Sequence, residues 1–207
     1  RSLMREAGLK SRQLGPSPYK KYGQARVDIP NLLDRQFDVP EPNTVGCGDI
    51  SYVWAGDRWH YLAVVMDLRT RRVVGSAISA KPYAQLVVDA LEIALEARGY
   101  PKGLMFHSDQ GSQYGSRRFR RILWRHRIQQ SMSRRGNCWD NARMERLFRS
   151  LKSEWFPPLG YKSLAAAKAD INDYFMRCYN WRRPHGANAG MSPGVAENQF
   201  NLVFKIA

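Results

Sequence analysis

Tyr61-Leu62-Ala63-Val64-Val65-Met66 is an apolar run of six residues with no polar break. A strand with one wet face alternates apolar and polar residues. A short unbroken run instead predicts a strand covered on both faces. The chain must therefore supply layers for two sides of a sheet, and its other segments match that demand. Asp49-Ile50-Ser51-Tyr52-Val53-Trp54 is rich in β-formers, and Gly56-Asp57 makes a turn into the apolar run. Arg69-Thr70-Arg71-Arg72 is a second turn, and Val73 to Ile78 returns as a third strand. Connections this short predict antiparallel pairing.

Helical periodicity begins at residue 84. Leu86, Val87, Ala90, Leu91, Ala94 and Leu95 share one face, and Gly99 and Pro101 stop the helix near 98. Leu104-Met105-Phe106 is a short strand leading to His107-Ser108-Asp109. A helix over 116–126 points Phe119, Ile122 and Leu123 inward and several arginines outward, and Ile128 to Met132 reads as a last strand. The polar stretch Ser133 to Trp139 reads as a mobile loop. Helical period resumes from Asp140 to about Trp155, with Asp140 or Asn141 expected as N-cap. A final helix is expected over 163–180, after Pro157-Pro158-Leu159-Gly160. The order βββ-α-β-α-β-α predicts an α/β fold: a mixed five-stranded sheet flanked by helices, with a short helical C-terminal extension. The expected division is an extension and linker over 1–39, a core over 40–158, and the extension over 159–207. Leu3, Met4, Ala7 and Leu9 read as the end of a helix.

Charge narrows the function. The chain carries 33 Lys and Arg against 18 Asp and Glu, a formal net charge of +15, which favours a polyanionic partner such as DNA. Cys47, Cys138 and Cys178 are odd in number and form no CxxC pair, and the four histidines are scattered, so neither a disulfide frame nor a zinc finger is expected. No apolar run approaches the roughly 18–20 residues of a membrane span. A cytoplasmic protein is expected, nucleoid-associated when bound to DNA.

Three carboxylates occupy informative places: Asp49 in the first strand, Asp109 at the end of the fourth, and Glu145 early in a helix. If the first and fourth strands are neighbours, these acids meet. Like charges sharing a small site raise one another's pKa. A hard divalent cation, Mg²⁺ or Mn²⁺, relieves that conflict and accepts phosphate oxygens. Two ions roughly 3.5–4 Å apart are expected, since such a pair serves an in-line phosphoryl displacement. The helix bearing Glu145 follows the loop expected to move, so completion of the metal site is expected to need DNA. Asp67 is a further acid, expected to serve a turn.

The 35 residues between Asp109 and Glu145 resemble the Asp-Asp-(35)-Glu spacing of retroviral integrases and bacterial transposases. His107-Ser108-Asp109-Gln110-Gly111-Ser112-Gln113-Tyr114 resembles one block of the insertion-sequence family three transposases. The stretch from Ser131 to Ala142, SMSRRGNCWDNA, resembles another. Gly48-Asp49-Ile50-Ser51-Tyr52 is similar to the family's first catalytic strand. Tyr179-Asn180, Arg183-Pro184-His185 and Met191-Ser192-Pro193 resemble its ending. The resemblance covers about residues 40–195. It implies a ribonuclease H-like fold and Asp49, Asp109 and Glu145 as the catalytic, metal-holding triad. It also implies element-end DNA as substrate, a multimeric synaptic complex, strand transfer through a circular intermediate, and helix-turn-helix modules upstream. Leu3 to Lys10 is expected to be the remnant of one. Gly46 and Ser76 stand where that family commonly has Trp, Arg143 where it has Pro and Gly186 where it has Ser. Loss of a fully buried aromatic costs about 3–5 kcal/mol.

DNA contacts are expected from residues near the triad. Arg149 and Lys152 lie four and seven positions after Glu145, on its helix face, where they would grip phosphates. Arg134, Arg135 and Asn137 occupy the preceding loop, and Trp181, Arg182, Arg183 and His185 form a basic-aromatic cluster near the end. Trp139 either stacks on a base or packs as an anchor. His107 orients a carboxylate, touches phosphate or is structural. Gly111, Ser112 and Gln113 are expected to shape the turn after Asp109. Two rivals to a transposase remain at this level: a degenerate copy that only binds DNA, and a ribonuclease H-like nuclease that only hydrolyses.

Overall fold

The computed structural model describes residues 28–204. The helix end expected at Leu3 to Lys10 lies outside them. Five strands form one mixed sheet: β1 (Val45–Ala55), β2 (Arg58–Asp67), β3 (Val73–Ser79), β4 (Met105–Ser108) and β5 (Gln129–Met132), in the order β3-β2-β1-β4-β5. β1, β2 and β3 pair antiparallel, while β4 joins β1 and β5 joins β4 in parallel. Gly56-Asp57 forms the hairpin, closing the Ala55–Arg58 pair, with Gly56 at φ 64°.

The apolar run of β2 is covered on both faces, as its composition predicts. Leu62, Val64 and Met66 enter one core with Val45, Cys47 and Val53 of β1. That core is closed by α3 (Ala142–Glu154), through Met144, Leu147, Phe148 and Leu151, and by α4 (Leu164–Asp173). Ala63 and Val65 face the opposite core, under α1 (Ala84–Ala97) and α2 (Arg117–Arg125). The α1 contact is close: a Cβ at Gly75 of β3 would stand 2.3 Å from the Ala90 carbonyl oxygen.

Several expectations change. The helix expected over 163–180 is α-helical only to Asp173; Tyr174–Tyr179 continues as a wider π turn that buries Tyr174, Phe175 and Tyr179. A fifth helix, α5 (Pro193–Phe204), was not anticipated, although proline at a helix's first position was its signal. Glu197 docks it: both carboxylate oxygens accept from Arg98, at 2.5 and 2.7 Å, and Arg72 adds a bond of 2.8 Å. Of the segment expected as an extension, Ile29, Leu33 and Val39 are buried, and Ser131 Oγ accepts from the Leu32 N–H at 2.9 Å. Gly46 leaves no large hole. The cavity beside it measures about 20 Å³, which at roughly 24 cal/mol per Å³ costs only about 0.5 kcal/mol. Phe106, Leu104 and Val65 close in around the glycine instead.

Candidate active site

Strand parity sets the site. Asp49 has the parity of Cys47 and Val53, so it faces the layer of α3. In the parallel pairing of β1 with β4, Gly48 stands opposite Ser108. Asp49 and Asp109 are the next residues of the two strands, so Asp49, still within β1, stands beside Asp109 where β4 ends. Gly48 leaves room for the Phe106 ring against β1: a Cβ there would lie 2.4 Å from Cζ of Phe106.

The two carboxylates are half-buried and have few donors. Asp49 accepts from the N–H of Ile50 at 2.7 Å, and Asp109 from that of Gly111 at 2.9 Å. The Gly111 bond bears out the turn-shaping role expected after Asp109. Burial, then the Asp109 charge, raises the Asp49 pKa to about 7; Glu145 adds to the rise, while Lys152 opposes it. Burial also raises Asp109. Tyr114, fully buried behind both acids, is raised by burial and by their charges. Two adjacent acids that ionise reluctantly form a donor set suited to a hard divalent cation.

Glu145 lies in the first turn of α3, which packs against β1. It is exposed, and Arg149 and Lys152 are exposed on the same side. Among the described residues, no three Asp, Glu, His or Cys side chains converge tightly enough to hold an ion. The Asp49–Asp109 pair is thus assembled, while Glu145 flanks it. Lys152 borders an open groove of about 800 Å³ with Tyr52, Trp54, Trp59 and Phe156.

The loop before α3 differs from its reading as a mobile segment. Asp140, fully buried, is not a helix cap. It accepts from Asn31 Nδ2 at 2.9 Å, Arg35 Nε at 2.7 Å, and the N–H, Nε and Nη2 of Arg134 at 2.9, 3.0 and 3.0 Å. These bonds, those from Arg134 first, hold its carboxyl well below the usual range. Asn141 stands at the cap position but makes no capping bond. The Arg134 guanidinium is therefore committed within the protein, and so is Asn137, whose Oδ1 accepts from Arg35 at 2.7 Å. Arg135 is exposed. Trp139 does not pack as an anchor; it is 69% exposed.

His107 is structural. It is buried, with Nδ1 2.9 Å from Ser131 Oγ and Nε2 3.1 Å from the Asp140 carbonyl, linking β4, β5 and the entry to α3. Asp67 serves its turn, accepting from Thr70 N–H and Oγ1 at 2.8 and 2.9 Å and from Asn43 N–H at 2.7 Å. Arg183 is also committed, donating to both Glu154 oxygens at 2.7 and 2.6 Å and to Ser150 Oγ at 3.1 Å. Arg182 is exposed. Asp140 had only its helix-entry position as a sequence signal; Arg134 is six residues away, but Asn31 and Arg35 are over a hundred.

Comparisons with known proteins agree with this geometry. Integrase core domain models match residues 39–138 and 126–193. The chain is 38% identical over 200 residues to transposase InsF for insertion sequence IS3A of Escherichia coli strain K12, covering 95% of this chain and 68% of that protein. It is 53% identical over 106 residues to the putative transposase InsO for insertion sequence element IS911B of the same strain, covering 51% of this chain and 54% of that protein. Among solved structures it is similar in fold to the simian T-cell lymphotropic virus intasome in complex with the PP2A regulatory subunit B56 gamma. There the TM-score is 0.60 at 16% identity, over 84% of this chain and 60% of that one. It is also similar to the HTLV-2 integrase catalytic core domain in complex with magnesium, in its dimeric form. That match has a TM-score of 0.53 at 16% identity, over 75% of this chain and 97% of that one.

Proposed function

The chain belongs to the integrase core family, among the insertion-sequence transposases, and from that premise we propose that Asp49, Asp109 and Glu145 form its catalytic triad. The reaction is strand cleavage and strand transfer on DNA at the ends of an insertion sequence. The observation that carries the assignment is that Asp49 of β1 and Asp109 at the end of β4 each follow the Gly48–Ser108 pair, with Glu145 on the helix packed against β1.

The residues present fit a divalent cation. Asp49 and Asp109, each anchored by a backbone N–H, would be its first two ligands and Glu145 the third. When bound, Mg²⁺ or Mn²⁺ supplies charge neutralisation and polarisation of the reacting phosphate, with two ions as the preferred stoichiometry. The chain's own residues supply the rest. Rigid β1 and β4 fix the spacing of Asp49 and Asp109. The α3 helix, packed against β1, holds Glu145 beside them. Lys152 and Arg149, exposed beside Glu145, hold phosphates flanking the scissile bond. Arg135 and Arg182, exposed and without side-chain partners among the described residues, contact DNA as well. Arg134, Asn137 and Arg183 support the site from within by fastening the two ends of α3. We further propose that residues 40–158 act as the catalytic core within a homo-oligomeric synaptic complex.

A strand-transfer assay tests this reading, with labelled element-end DNA, Mg²⁺ or Mn²⁺, and wild type against Glu145→Gln. Metal-dependent joined products that vanish in the variant are expected. Nicks without joining would make the chain a nuclease. DNA binding without chemistry in either protein would make it a binding relic.

A further inference from the structure

On the side of α3 turned away from Glu145 lies a second basic site. Arg143, Arg146, Leu147 and Ser150 form one stripe of the helix, roughly opposite that of Glu145, Arg149 and Lys152. That stripe borders a cavity of about 370 Å³ whose polar lining includes Arg71, Arg143, Arg146, Tyr179, Arg183 and His185. Among the described residues, no carboxylate lines it.

Arg71 is the unusual member. It occupies the turn after β2 at φ 65°, a conformation non-glycine residues rarely adopt, and it is only 5% exposed. Its Nη2 donates to the Phe37 carbonyl at 3.0 Å, but its buried Nε and Nη1 have no partner among the described residues. The same holds for Nε of Arg143 and Nδ1 of His185. The nearby acids are engaged: Asp67 with Thr70 and Asn43, Glu154 with Arg183. Burial, reinforced by Arg143, lowers Arg71 to about 10. Burial and the surrounding arginines lower His185 to about 4, so it is neutral and has one ring N–H to donate. Buried donors without acceptors are rare in native proteins, and a guanidinium fork matches phosphate oxygens.

We propose that this cavity binds a phosphate-class oxyanion, held by Arg71, Arg143 and Arg146 with a hydrogen bond from His185. The anion is either a phosphodiester of bound DNA or a free phosphate compound. The site joins α3 to the turn after β2 and to the Tyr179–Ala187 segment, so its occupancy fastens from behind the helix that carries Glu145. The proposal does not depend on the catalytic reading, because it concerns the opposite side of α3.

The test is thermal melting and calorimetric titration with inorganic pyrophosphate in EDTA, against sodium chloride at matched ionic strength. Pyrophosphate is expected to raise the Tm of wild type and of Lys152→Gln by about 3 °C or more at saturating concentration. Arg143→Gln/Arg146→Gln is expected to bind at least about tenfold more weakly. Arg146→Gln alone, at an exposed position, is expected to weaken binding several-fold with an unchanged baseline Tm. A rise no greater than with chloride, or undiminished binding in both variants, overturns the proposal. Displacement of pyrophosphate by a short DNA duplex supports the site with DNA backbone as the source. Retained binding in the presence of the duplex supports it with a free phosphate compound.

Discussion

Asp49 and Asp109 are neighbours because Gly48 pairs with Ser108 across the parallel strands β1 and β4, and each acid is the residue that follows. Their proximity has a measurable cost. The Asp109 charge is the second cause, after burial, of the raised Asp49 pKa.

Stability without metal should therefore depend on pH through Asp49. Its folded pKa, about 7, exceeds the unfolded value of roughly 4, so its contribution is full below about pH 4 and is lost as pH rises through 7. In EDTA, the melting temperature should fall between pH 5 and pH 8. Asp49→Asn should flatten that fall and melt higher than wild type at pH 8, by about 1–3 kcal/mol or a few degrees. Mg²⁺ should stabilise wild type at pH 8 and the variant much less. An equal pH slope in both proteins would contradict the assignment.

Glu145 is exposed, so Glu145→Gln should change stability by no more than about 0.5 kcal/mol. Loss of groups that merely support a metal ligand costs about 10–100-fold, so loss of the ligand should reduce strand transfer by at least about 100-fold. Melting curves and product gels on one preparation check both halves.

Gly48→Ala should destabilise the sheet beside the two acids. The added methyl would sit 2.4 Å from Phe106 Cζ, and overpacking of this kind costs about 1–3 kcal/mol. Phe106→Leu makes room, so the double variant should be more stable than the sum of the single effects requires. A double-mutant cycle by urea denaturation reads the coupling.

Asp140→Ala should loosen the entry to α3. The variant loses five hydrogen bonds at a fully buried carboxylate, but Arg35 and Arg134 are exposed enough to rehydrate, which limits the cost to about 2–4 kcal/mol. Hydrogen exchange should accelerate over residues 133–141. Because the folded pKa of Asp140 is depressed, its contribution is present above about pH 4 and lost as pH falls below that. The acid limb of wild-type stability should be shallower in the variant.

Much of this protein was legible in one dimension. The unbroken apolar run of β2 required two covering layers, and the turn residues on either side required antiparallel pairing. The spacing of Asp109 and Glu145 and the words around them carried the family, because local sequence encodes strand ends, turns and helix entries. Even the helix face shared by Glu145, Arg149 and Lys152 follows from period alone.

What the chain could not announce was which charges are free. Arg134, Arg135, Arg182 and Arg183 look alike as letters, yet Arg134 is clamped by Asp140 and Arg183 by Glu154, while Arg135 and Arg182 face outward. Arg71 reads as a polar turn residue, but the fold turns it inward among other arginines, with two donors unpaired among the described residues. These outcomes depend on partners that range from six residues away, for Arg134 and Asp140, to over 100, for Arg35 and Asp140. Sequence determined most of the elements and pointed to the candidate reacting residues, because periodicity and turn chemistry act over a few residues. Only tertiary packing decided which cations reach solvent and which lie buried, because charge pairing is settled by distances across the closed core.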